Sequence, residues 1–139
     1  MADKFLKVEI ITPQSIVFSG DALGVNLPGA LSPFEVLINH APIVSSLESG
    51  VIRIRDLNKQ PSYFATGTGF VEVKHNVVSI LVESAVKGSD INKSVVESNI
   101  ESLKSELHNT TNITEKQVIT TRLDFETAKL KAAEKSGLR

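Results

Sequence analysis

Residues 34–54, FEVLINHAPIVSSLESGVIRI, decide the fold. Phe34, Val36 and Ile38 alternate with Glu35 and Leu37, which is the period of a half-buried strand. Asn39 then leads into His40-Ala41-Pro42, where proline fixes its own φ and pushes Ala41 towards an extended conformation. Ile43 and Val44 resume the apolar run, Glu48-Ser49-Gly50 makes a turn, and Val51-Ile52-Arg53-Ile54 enters another strand. The stretch therefore reads as strand, sharp corner, strand, turn and strand.

The same reading extends outward over the first half of the chain. Phe5–Ile11 is a strand closed by Thr12-Pro13, Ser15–Phe18 a second closed by Ser19-Gly20-Asp21, and Leu23–Leu27 a third closed by Pro28-Gly29. Tyr63–Ala65, Phe70–Lys74 and a long run Val77–Val86 follow. So many short strands cannot bury their apolar faces in one open sheet, and two sheets packed face to face are expected. Gly67-Thr68-Gly69 lacks the lysine and following helix of a phosphate-binding loop and reads as a tight hairpin.

All five prolines lie before residue 62, and neither glycine nor proline occurs between Ser89 and Ser136. This change marks a boundary at Lys87-Gly88-Ser89, with a β-sandwich domain over 1–87 and a helical domain over 88–139. Val96, Ile100, Leu103 and Leu107 make one helical stripe, and Asn109-Thr110-Thr111-Asn112 interrupts it. A second helix is expected to start at Thr114, with Gln117 completing a capping box and Ile113 and Val118 a hydrophobic staple. Glu115 suits its positive end, while Lys129, Lys131, Lys135 and Arg139 suit its negative end, with Gly137 as the stop. Two helices joined by a short polar loop make an antiparallel hairpin.

Composition narrows the functional classes. The 139 residues carry a net charge of −1 with 41 % hydrophobic residues, enough for a core and too little positive charge for nucleic acid as main partner. There is no cysteine, so neither a disulfide framework nor a thiolate metal site can form. No apolar run approaches the roughly 20 residues of a membrane helix, and the strand pattern begins too early to leave space for a signal or transit peptide. His40, His75 and His108 have no ligand spacing, and no serine sits in a nucleophile elbow. His40 suits bracing the corner or touching a partner. The sequons at Asn109 and Asn112 read as capping residues of a helix–helix loop. A sugar-binding platform is disfavoured by the absence of tryptophan and the scarcity of aromatics, and a sandwich enzyme would show a concave polar pocket with convergent carboxylates or aromatics.

The second helix has one unusual face. Val118, Phe125 and Ala132 form one apolar ridge, and Ile119, Leu123, Leu130 and Ala133 a second. Arg122 and Lys129 lie between the ridges and Glu126 within the second. The charges either snorkel out at the edges or belong to a helix that uses this face against different partners.

The 34–54 stretch resembles the epsilon subunit of F-type ATP synthases, bacterial type, whose sandwich has a similar NHAP-(aliphatic) corner before a Gly-(aliphatic)-Ile-Arg-Ile strand. Thr66–Val73 and Asn76–Leu81 agree, and the likeness covers about residues 3–136. The resemblance implies a non-catalytic central-stalk subunit without cofactor or metal. Its sandwich would dock on the gamma subunit and the membrane c-subunit ring, with Ile38, Asn39, His40, Ala41 and Pro42 near the interface. Its hairpin, once extended, would touch the alpha/beta catalytic head through Arg122, Glu126 and Lys129 and inhibit ATP hydrolysis. It further implies a peripheral place on the cytoplasmic face of the bacterial inner membrane, with no direct lipid anchoring. Two departures stand out. The family's frequent proline or glycine before the histidine is replaced by Ile38-Asn39. The nucleotide motif (Ile/Leu)-Asp-x-x-Arg-Ala of some bacterial members becomes Ile91-Asn92-Lys93-Ser94-Val95-Val96, so no ATP binding is expected. The alternative to this family is an unrelated sandwich adaptor whose hairpin dimerises.

Overall fold

The computed structural model describes residues 4–137. Its strands are β1 (Leu6–Ile11), β2 (Ile16–Ala22), β3 (Gly24–Leu27), β4 (Phe34–Leu37), β5 (Ile43–Leu47), β6 (Gly50–Arg55), β7 (Pro61–Thr66), β8 (Gly69–Lys74), β9 (Val77–Val82) and β10 (Ala85–Lys87). Helices α1 (Lys93–Asn109) and α2 (Ile113–Gly137) follow. The strands form two five-stranded sheets, β2-β1-β9-β8-β5 and β10-β7-β6-β3-β4, hereafter sheets one and two.

Alternation along each strand builds the core between the sheets. Val8 and Ile10 of β1 lie level with Val78 and Ile80 of the parallel strand β9, Leu6 shares their inward face, and Val71 and Val73 of β8 continue the layer. Sheet two answers with Val25, Val36, Ile52, Ile54 and Phe64, all at 1 % exposure or less. Each such side chain contributes about 1.5–3 kcal/mol when fully buried. The Phe18 ring of β2 meets Phe64 of β7 edge to face, centroids 5.4 Å apart, which joins the sheets directly.

The 34–54 stretch stitches the layers together. β4 is an edge of sheet two, β5 an edge of sheet one, and β6 lies inside sheet two, so the chain crosses twice within this stretch. Three sequence expectations change here. Gly67-Thr68 is no hairpin: it carries the chain from β7 in sheet two to β8 in sheet one. The long run Val77–Val86 is likewise split at Glu83-Ser84, where β9 hands over to β10 in the other sheet. The two crossings run side by side, with Gly67 N–H donating to Ser84 O at 2.9 Å and Glu83 N–H to Thr68 O at 3.0 Å. Gly69 is there for space, since a Cβ would come within 2.8 Å of Val82 Cα. The third change is β2, which continues through Ser19-Gly20-Asp21 because β1 offers it partners as far as Leu6↔Ala22.

The tight hairpin lies instead between β8 and β9, where His75 and Asn76 both have positive φ, 50° and 62°, as a type I′ turn requires. Its Asn76 fastens the 38–42 corner. The Asn76 side-chain oxygen accepts from Asn39 N–H at 2.6 Å, and its amide donates to Asn39 Oδ1 at 3.1 Å. Asn39 itself has φ 66° in the turn closed by His40 N–H to Leu37 O at 3.1 Å. Asparagine tolerates that left-handed conformation better than other non-glycine residues.

Both helices start on asparagine. Asn92 Oδ1 accepts from Val95 N–H at 3.3 Å, and Asn112 Oδ1 from Glu115 N–H at 3.0 Å. The second helix thus begins earlier than the Thr114 capping box implies, because Asn112 with Glu115 three residues on is an equally competent start. The staple is absent: Ile113 and Val118 are 73 % and 50 % exposed. Arg139 lies outside the described residues. The helices pair as a hairpin, and α2 lies across the outer face of β6 and β7.

Asn39 therefore supplies both a left-handed backbone and a side-chain link. Asn39→Ala should lower stability by about 1–3 kcal/mol, chiefly the cost of a left-handed φ in a residue that is not glycine, with a smaller part from the lost side-chain hydrogen bond. Asn39→Gly, which keeps the backbone freedom and loses only the link, should cost less. Urea unfolding of the two variants checks this order; equal losses would contradict the role given to φ.

Candidate partner interface

The predicted corner is well defined by its own contacts. Ile38 is half-buried and packs against the sandwich core, as does Ile43. His40 is half-buried, and its Nδ1 lies 2.7 Å from Ala41 O, so the ring braces the corner. Asn39, Ala41 and Pro42 are exposed. The structure thus brings these five residues to one end of the sandwich, beside the His75-Asn76 turn, with only part of the set open to a partner.

A second surface was not singled out from the sequence. On the outer face of sheet one, Ile16 lies opposite Ile11, Ile11 opposite Leu81, and Leu81 opposite Phe70. These four apolar residues form a row across β2, β1, β9 and β8, and Ile16, Phe70 and Leu81 are 59, 50 and 38 % exposed. Pro13 joins Ile11, Leu81 and Phe70 in lining a groove of about 490 Å³. The neighbouring row is polar at Glu9, Ser79 and Glu72, ending on exposed Val44. The signal existed in the alternation itself, since Phe70 and Leu81 fall out of phase with inward Val71, Ile80 and Val82. Phe70 is at the far end of β8 from the hairpin turn, roughly 13 Å along the strand from Lys74. The apolar row and the 38–42 corner are therefore separate patches.

On the helices, the three charges have different fates. Glu126 Oε1 and Lys129 Nζ form an ion pair at 3.0 Å, with side chains only 13 and 22 % exposed. Lys129 Nζ also sits 4.8 Å from the Phe125 ring centroid, a cation–π contact. Asn99 of α1 donates its amide to Glu126 Oε2 at 3.5 Å, which ties the pair to the other helix. Arg122 alone remains exposed, next to Asn99, Leu103 and Phe125. Neither ridge of α2 behaves as a uniform buried stripe. Ile119, Ala132 and Ala133 are buried and Val118 is not, while Ala128, which belongs to neither ridge, is buried at 3 %.

At the start of α1, Asn92 spends its side-chain oxygen on the helix cap, and Val95 is 53 % exposed. Among the described residues no group of three or more His, Asp or Glu side chains is placed to hold a metal ion. No described helix is long and apolar enough to cross a membrane.

These surfaces sit on a chain with known kin. Residues 5–88 match the family model of the ATP synthase Delta/Epsilon chain beta-sandwich domain. The ATP synthase epsilon chain of Pelotomaculum thermopropionicum is 41 % identical over 91 residues, which span 66 % of this chain and 67 % of that one. The epsilon chain of Magnetococcus marinus is 34 % identical over 128 residues, 91 % of this chain and 93 % of that one. By fold, the chain is similar to one in the cryo-EM structure of the Euglena gracilis mitochondrial ATP synthase OSCP/F1/c-ring. There the TM-score is 0.78 at 14 % identity, over 98 % of this chain and 83 % of that chain. A chain of the Tetrahymena thermophila mitochondrial ATP synthase central stalk/c-ring gives 0.64 at 15 % identity, over 95 and 98 %. The family match over most of the sandwich, with a relative aligned along both the sandwich and the helices, leaves no room for an unrelated adaptor: this chain belongs to the family of ATP synthase epsilon chains.

Proposed function

We infer that the chain serves as a non-catalytic central-stalk subunit that couples rotation of the membrane ring to ATP synthesis. Its sandwich, residues 1–87, docks on the gamma subunit and the c-subunit ring at the cytoplasmic face of a bacterial membrane. Its hairpin, residues 88–139, inhibits ATP hydrolysis when extended along the alpha/beta head. The observation that carries the docking half is the apolar row Ile16–Ile11–Leu81–Phe70, left uncovered on a sandwich of this family. An apolar row flanked by polar residues has the make-up of a protein interface. It suits the gamma subunit, and the exposed end at Ala41 and Pro42 suits the ring.

Phe70 and Leu81 are better probes than Ile38 or Ile43, whose replacement by a charge would disturb the core they pack on. Phe70→Asp together with Leu81→Asp should weaken binding to purified gamma subunit at least tenfold by calorimetry, with the unfolding midpoint little changed. Wild-type affinity would remove the row from the interface. Ala41→Glu should lower ring occupancy in the assembled complex while leaving gamma binding intact.

The hairpin half rests on the charged face of α2. In the hairpin observed, Lys129 is held by Glu126, and only Arg122 is open. Extension would separate α2 from Asn99, leaving Arg122 and Lys129 to meet acidic groups of the head. Truncation after Gly88 should preserve coupled synthesis and raise ATP hydrolysis several-fold, and Arg122→Glu with Lys129→Glu should reproduce part of that rise. An unchanged hydrolysis rate in the truncated complex would deny the hairpin an inhibitory role.

Nucleotide is not expected to hold the hairpin. Where the family motif has aspartate and arginine, this chain has a capping Asn92 and the apolar Val95. Losing one charge-assisted hydrogen bond costs about 1.5–3 kcal/mol, on the order of 10–100-fold in affinity. Titration of the full chain with Mg-ATP should give no heat of micromolar binding; a micromolar Kd would contradict this.

A further inference from the structure

We propose that the hairpin is held on the sandwich by a seam of small residues centred on Gly88, and that this seam is the latch deciding whether the helices stay docked. The proposal rests on the regulatory reading of the hairpin given above.

The seam has its own apolar cluster, distinct from the sandwich core. Ala65 of β7 and Ala128 and Ala132 of α2 are buried together, with Val51, Tyr63, Ile91 and Phe125 packed around them. Among the described residues of β6, β7 and α2, no hydrogen bond or ion pair crosses from strand to helix. The docking is therefore a matter of close packing, and its strength depends on how near the helix can come. Alanine side chains set that distance on both sides. Dispersion contacts are lost steeply when such a gap widens by even a fraction of an ångström.

Gly88 marks the closest approach. A Cβ at this position would overlap Ser136 Oγ and stand 2.5 Å from Ala132 O and 2.9 Å from Ala132 C. Two of these three atoms belong to the helix backbone, which cannot swing aside as a side chain would. The φ of Gly88 is not positive, so the backbone there accepts any L-residue. Glycine is required only because α2 is docked. A methyl group at 88 is thus an obstacle in the docked state and harmless once the helix has left.

Among the described residues no ion pair joins the sandwich to α2 at either end of the seam. Lys87 and Lys135 line one cleft with Tyr63, Ser89 and Ser136, and no carboxylate is among its lining residues. At the other end Glu48 and Asp124 line a cleft shared with Lys131. Lys87 and Lys135 oppose docking at one end, while at the other Glu48 shares its cleft with both Asp124 and Lys131 of α2 and forms an ion pair with neither, so the close packing of small residues is the contact that carries docking.

The test uses the full chain, whose lack of cysteine makes introduced thiols unique. Glu48→Cys and Lys131→Cys place spin labels on the two walls of one cleft, and pulsed electron resonance reads the distance between them. The latch predicts one short distance in the otherwise native chain. Gly88→Ala should add a long, broad population, with the docked-to-undocked ratio falling roughly tenfold or more, as overpacking of this degree implies. Ala132→Leu drives the same wedge from the helix side with a good helix former and serves if Gly88→Ala does not fold. Native-like distances in either folded variant would overturn the proposal. ATP hydrolysis by the assembled complex separates the two claims. Longer distances with unchanged hydrolysis would uphold the latch and sink the inhibitory role, whereas short distances sink the latch whatever the hydrolysis rate.

Discussion

Everything else in the structure depends on the contact between two sheets across one apolar layer. Ile52, Ile54 and Phe64 from one side meet Leu6, Val8, Ile10, Val71, Val73 and Ile80 from the other, and none is more than 1 % exposed. A layer of this kind uses one face of every strand and leaves the second face of each sheet free. The two outer faces are then available for different tasks. The outer face of sheet two is taken by α2 of the same chain. The outer face of sheet one carries the apolar row from Ile16 to Phe70 with no described element upon it.

This division leaves one outer face of the sandwich open while the hairpin covers the other. On the proposed reading the open face serves the rotor, and a hairpin attached through separate contacts could leave without disturbing it. The two apolar clusters do not merge, and on the helix side the fully buried members are Ala128 and Ala132, with only Phe125 as a larger, half-buried neighbour. Burying alanine recovers little transfer free energy per residue, of order 1 kcal/mol. A modest docking free energy of this kind is what the proposed conformational role requires.

Much of the fold was legible in the residues. The inward phase of β1, β6, β8 and β9 follows directly from alternation, and the stripe Val96–Leu107 marks α1. What alternation cannot tell is which sheet a strand joins. Gly67-Thr68-Gly69 has the composition of a hairpin, yet the hairpin is at His75-Asn76, because sheet membership is decided by partners far away in sequence such as β1 for β9. The start of α2 was missed for a local reason: Asn112 and Thr114 each have an acid or amide three residues on, and tertiary context chose between them. The 38–42 corner was found by its proline and histidine, but the Asn39–Asn76 link that holds it was invisible. Ala128 gives no signal in the sequence because alanine is apolar enough for either face, and only its packing against Ala65 of β7 makes its smallness meaningful.

On the proposed reading, the outer face of sheet one is the surface by which the sandwich joins its rotor. Hydroxyl-radical footprinting of the assembled synthase, compared with the free chain, tests it most directly because it reads individual side chains. Ile16, Phe70 and Leu81 should lose reactivity on assembly, while Leu57, equally exposed in the β6–β7 turn, should keep it. Phe70 and Leu81 as reactive in the complex as in the free chain would contradict it.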